Sequence, residues 1–141
     1  MLYLLKAATG FLPVFYTLVF CFYVSLLCGE ESERRKKLAS RSLTALVLVH
    51  LATLFLRGIV LEHCPLIGAF ELVSFLALAI AATHLIIEKS TGIRSPGMAA
   101  LAVAAVLQTI ASTFGGYSAA FTENLESVLV HLHVFAGICA H

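Results

Sequence analysis

Long apolar runs alternate with short polar breaks along the whole chain. Unbroken hydropathy covers residues 2–28, 42–61, 69–87, 97–114 and 127–141, and each run predicts one helix. The first four approach the ~20 residues needed to cross a hydrocarbon layer. The fifth, SVLVHLHVFAGICAH, stops short of that length and is expected to be a truncated span. The pattern predicts an all-α fold: a polytopic transmembrane helix bundle of four full spans plus a truncated fifth, forming a single membrane domain over residues 1–141. The first run is too long for the h-region of a cleaved signal, which spans roughly 7–15 residues, so it reads as a retained helix. Pro13 falls inside it, where a neighbouring helix can satisfy the carbonyl that proline leaves without a partner. In the fourth run Ala100 and Ala104, four apart, predict close helix packing near the centre of the bundle.

Composition points the same way. The chain is 60% hydrophobic and 12% charged, with a mean hydropathy of +0.99, whereas a soluble globular domain carries about a quarter charged residues. Arg34, Arg35, Lys36, Lys37 and Arg41 in the first break, with Lys89 and Arg94 in the third, place most of the positive charge on one side. By the positive-inside rule these basic loops are cytoplasmic and the N-terminus lies outside. The expected location is a bacterial inner (cytoplasmic) membrane or its organelle equivalent. The basic break reads as a topology signal and a solvated face, with lipid or protein docking as the other reading. Since the charge sits at membrane edges and not on one basic face, no nucleic-acid partner is expected; the lipid bilayer is.

Four cysteines, Cys21, Cys28, Cys64 and Cys139, form no C-x-x-C pair. They give no zinc signature, redox pair or covalent haem attachment site, and read as small apolar packing residues.

The stretch LRGIVLEHCPLIGAFE then stands out, because it sets Arg57, Glu62, His63 and Glu71 into this apolar background. A charge at bilayer depth costs at least ~2.5–3.5 kcal/mol on insertion scales, so such groups need a partner or a task. His50 precedes Arg57 by seven residues, close to two turns, so both share a helix face that must look into the bundle. Glu71 and Ser74 share a face at the start of the third run, and Glu71 is the natural counter-charge for Arg57 in a structural ion pair. Alternatively, Arg57 offers its guanidinium to an anionic group such as a carboxylate. His50, Arg57 and Glu71 show no continuation toward the basic side, which argues against a proton path.

His63 in the loop and His133 in the fifth run can both approach the outer leaflet. Imidazole nitrogen is a common ligand for iron, copper or zinc, and interfacial hydrogen bonding is the competing role for each histidine alone. His131 is turned roughly 200° from His133 and cannot share its site. His84 is expected to snorkel to the basic interface.

These residues carry a resemblance. Arg57, His63, Pro65, Phe70 and Glu71, followed by Ser127, His133 and Val134, match in order and separation two motifs of the cytochrome c assembly family, the haem-handling membrane proteins of the CcsA-type and HemX-like kinds. His50 also fits a position where that family often has histidine. The resemblance covers most of residues 42–136. It implies that His63 holds haem b within the membrane, that His133 is an external axial ligand to the iron, and that Arg57 and His50 belong to the cofactor-binding set. The family's tryptophan-rich external segment has no counterpart here, since the chain contains no tryptophan.

The implied function is haem binding and haem transport toward the outer face during cytochrome c biogenesis. Its partners would be apocytochrome c and other cytochrome c maturation proteins or a larger membrane complex. Such a chain makes no bond itself, and is an assembly factor more than an enzyme. The alternative is a structural or regulatory membrane subunit that keeps the fold without haem chemistry.

Overall fold

Each apolar run up to residue 114 is helical in the computed structural model, which describes residues 2–28, 32–61 and 69–114. The helices are α1 (Leu2–Cys28), α2 (Glu33–Leu61), α3 (Ala69–Thr91) and α4 (Gly97–Phe114). Among them α1, α2 and α3 contain stretches long and apolar enough to cross a membrane; α4 is apolar but shorter. At 18 residues, α4 extends about 27 Å, just under the ~30 Å hydrocarbon thickness. The fifth run, 127–141, lies outside the described residues.

The largest departure from the hydropathy pattern is at the start of α2. The helix begins at Glu33, well before the apolar run, so the basic break is itself helical. Its sequence ERRKKLASR contains good helix formers and no glycine or proline. The Ser32 carbonyl accepts the first helical bond from the Lys36 amide, and Glu33 lies in the positively polarised first turn. Glu33 also pairs with Lys36 at 3.1 Å. Arg35 reaches back to α1, donating from Nη2 to the Ser25 carbonyl at 3.1 Å and to the Ser25 hydroxyl at 3.2 Å. Hydropathy misses these roughly two and a half turns because it scores transfer to lipid, not backbone preference.

α3 also outlasts its apolar run, to Thr91, and ends on Gly92. With φ of +73°, Gly92 takes the left-handed cap position, and its amide donates to the Glu88 carbonyl at 2.9 Å. A tight turn over Arg94–Gly97 follows, and the Pro96 carbonyl accepts the first bond of α4. So short a connection forces α3 and α4 to lie antiparallel as neighbours.

The four helices close into a ring, each touching the next and α4 returning to α1, with the closest packing between α3 and α4. Tyr16, Val19, Leu43, Leu46, Ala77, Ala81, Leu101 and Ala104 fill the interior. Phe11, Leu18, Leu51, Phe55, Ile86 and Val106 are exposed on the outer surface. A bundle built for water would cover that surface with charge; here it is apolar, as a lipid solvent requires. α4 is one side of the ring, not its centre, since Val103, Val106 and Ile110 face outward. Small residues nonetheless do the work expected of them, with Ala104 packed in one cluster with Ala77 and Ala81 of α3, and Ala111 in another with Phe70 and Leu78. Cys21, expected to pack inside, is exposed on α1.

Gly97 marks the closest approach. A Cβ built there would overlap His84 Nε2, so the histidine ring occupies the space that any other residue would claim. Gly97→Ala is expected to destabilise the bundle by about 1–3 kcal/mol through overpacking. The same substitution should cost clearly less when His84→Ala accompanies it. Unfolding titrations of the four chains in detergent check this; additive costs would mean that the ring is not the obstacle.

Candidate functional site

α3 supplies the axis of the polar interior. Glu71, Ser74, Ala77, Leu78, Ala81, His84, Leu85 and Glu88 recur at three- and four-residue spacing and are all buried, forming one stripe down the helix. Polar groups sit on this stripe at three levels.

At the end away from the basic residues, Arg57 Nε lies 2.5 Å from Glu71 Oε1. The guanidinium also rests over the Phe70 ring, 4.2 Å from its centroid. The pair joins the last turns of α2 to the first turn of α3, and so ties together the two ends of the 62–68 segment.

The middle level is a hydrogen-bonded circuit through all four helices. His50 on α2 is fully buried; its Nδ1 lies 2.8 Å from the Tyr16 hydroxyl of α1 and its Nε2 lies 2.9 Å from the Ser74 hydroxyl of α3. Ser74 Oγ donates to Gln108 Oε1 of α4 at 2.9 Å, and Gln108 Nε2 donates to Ser112 Oγ at 3.4 Å. Ser112 in turn donates to the Thr9 carbonyl at 3.2 Å, returning to α1.

The last bond has a cause in the sequence. In a regular helix the Thr9 carbonyl would accept from residue 13, but residue 13 is proline and has no N–H. α4 supplies the missing donor. Because a carbonyl only accepts, this bond also sets the polarity of the whole circuit: Ser112 donates, so it accepts from Gln108, whose oxygen accepts from Ser74, which accepts from His50. The consistent arrangement is a neutral imidazole with its proton on Nε2, accepting the Tyr16 proton at Nδ1.

At the basic end Glu88 is almost wholly buried and gathers three elements. Arg94 Nε donates to Oε1 at 3.0 Å, and the Tyr23 hydroxyl of α1 donates to Oε2 at 2.5 Å. His84, one turn earlier, has Nε2 at 3.5 Å from Oε2 and makes no hydrogen bond through that atom among the described residues. Its ring packs edge-on against Tyr23. His84 therefore does not snorkel, contrary to the sequence expectation, and with Tyr23, Glu88 and Arg94 it forms a polar cluster at the basic end. Ten residues of α3 separate Ser74 from His84, about 15 Å of helix axis. Ala77, Ala81, Val19, Leu46 and Leu101 fill that gap, all buried and apolar. The two polar levels are thus divided by a dry layer.

Sequence reasoning named His50, Arg57, Ser74 and Glu71, and the structure places all four along one seam. It overlooked Tyr16, Tyr23, Gln108, Ser112 and Glu88. The signal available for Glu88 was its register, since positions 71, 74, 81 and 88 of α3 fall on one face.

Of the residues that the resemblance assigns to haem, His63 and His133 lie outside the described residues. His50 has both ring nitrogens hydrogen-bonded, so iron at either would displace Tyr16 or Ser74. Arg57 fits a propionate contact better, because it stands at the end of the bundle with its side chain partly exposed. The described residues contain no group of three or more histidine, cysteine or acidic side chains able to hold a metal ion.

Three long apolar helices, an apolar exterior and a polar seam inside are the features of a membrane helix bundle. Comparison of the chain with family models, curated proteins and solved structures found no match.

Proposed function

We propose that this chain is a haem-handling integral membrane protein of cytochrome c maturation, presenting or moving haem b toward the outer face. The observation that supports the reading is the Arg57–Glu71 pair, because it closes the base of the segment that carries His63 and Pro65. In this reading the basic end is cytoplasmic, the N-terminus is outside, and four full spans plus a truncated fifth cross the membrane. His63 and His133 would hold the iron through imidazole nitrogen, and Arg57 would meet a propionate while Glu71 fixes its guanidinium in place. Haem supplies the group that an apocytochrome's thiols accept; the chain's own residues bind it, orient it and keep it within the membrane. Other maturation proteins and apocytochrome c are the partners.

The test is an absorption spectrum of the purified chain after haem loading. A Soret band that His63→Ala and His133→Ala each weaken strongly is expected. A wild-type chain with no Soret band, or variants indistinguishable from it, would overturn the reading.

A second reading, a structural or regulatory subunit of a larger membrane complex, draws on His50, both of whose nitrogens serve packing between helices. It predicts stoichiometric copurification with that complex, and a complex that stays active when His63 and His133 are replaced.

A further inference from the structure

The outward stripe of α2 changes character along its length. Lys37, Ser40, Arg41, Thr44 and Leu48 recur at helical spacing and line one wall of a groove of about 550 Å³, which Lys89 and Arg94 border from the α3 side. From Lys37 to Leu48 the wall passes from charge through hydroxyls to an aliphatic side chain within about 16 Å of helix axis. The stripe then continues through Leu51 and Phe55, both exposed.

Lys37, Arg41 and Lys89 are exposed, and none pairs with an acidic side chain among the described residues. Glu33 is engaged with Lys36, Glu71 with Arg57 and Glu88 with Arg94. Like charges four apart on a helix repel, as Lys37 and Arg41 do here, and Lys89 adds a third cation to the same groove. Only Arg94 is partly neutralised, through its Nε contact with the buried Glu88.

We propose that this groove binds the phosphate of an anionic glycerophospholipid. Lys37, Arg41 and Lys89 hold the phosphate oxygens by charge-assisted hydrogen bonds, the hydroxyls of Ser40 and Thr44 lie level with the glycerol esters, and an acyl chain follows Leu48, Leu51 and Phe55. A phosphate ion from solution would use the first turn of this stripe and nothing below it. The matched polarity gradient is what points to a lipid. The inference is independent of what is carried at the other end of the bundle.

Native mass spectrometry of the full chain, released from micelles with phosphatidylglycerol, phosphatidylcholine or inorganic phosphate added in separate arms, tests it. Wild type should retain phosphatidylglycerol well above phosphatidylcholine. Arg41→Gln should weaken that retention roughly fivefold, and Lys89→Gln similarly, while Arg34→Gln, outside the groove, should leave it near the wild-type level. All three side chains are exposed, so folding is not at stake. Equal losses from Arg34→Gln and Arg41→Gln would replace the site with a diffuse surface potential. Inorganic phosphate bound as tightly as phosphatidylglycerol, or no preference between the two lipids, would also overturn the proposal.

Discussion

Replacing Glu88 with alanine is expected to cost the bundle about 3–5 kcal/mol, the range for removing one member of a buried ion pair and leaving the other stranded. Arg94 and Tyr23 lose their acceptor at once, and His84 loses the carboxylate beside it. Arg94 is two-thirds covered, Tyr23 is nearly inaccessible, and His84 Nε2 already lacks a hydrogen bond. Tyr23 is on α1 and Glu88 on α3, which stand across the ring from one another, so the carboxylate bridges helices whose backbones do not meet. Glu88→Gln keeps the volume and one acceptor oxygen and should cost distinctly less. Unfolding titrations in mixed detergent measure both, and an alanine variant within ~1 kcal/mol of wild type would remove Glu88 from the list of buried pairs that matter.

His50→Ala should cost about 2–4 kcal/mol. It leaves a cavity where a fully buried ring stood and strands two hydroxyls, those of Tyr16 and Ser74. Hydrogen bonds between membrane helices average only ~0.6 kcal/mol, so Ser74→Ala, which removes two bonds and little volume, should cost about 1 kcal/mol. The comparison decides between packing and hydrogen bonding as the larger contribution of the circuit. Tyr16→Phe added to His50→Ala should cost less than Tyr16→Phe alone, because its phenol has then already lost its acceptor. Full additivity of the two would mean that the 2.8 Å contact carries no coupling.

The four described helices were legible because their signal is local. α1 and α4 begin and end where hydropathy does, since lipid selects for uninterrupted apolar length. The helical extension of α2 was not legible from hydropathy, because a mostly polar stretch such as ERRKKLASR can be helical without being apolar. In the interior, titratable residues drew attention and hydroxyls and amides did not, although Tyr16, Gln108 and Ser112 complete the circuit that His50 begins. An ionised group in an apolar run is costly and conspicuous; a tyrosine there reads as one more hydrophobe until its partner is known. His84 was misplaced for a related reason. Its depth depends on Gly97, thirteen residues later, which leaves the ring room to stay inside.

Pro13 carries a consequence for the order of assembly. The Thr9 carbonyl belongs to the first helix made, and the hydroxyl that completes it arrives with Ser112, 103 residues later. At ~5–20 residues per second, the interval during synthesis is roughly 5 to 20 s. Over that time the donor that α4 gives to this carbonyl has yet to be made. The ring closes in the same step that ends this wait, which makes the docking of α4 the event that commits the bundle.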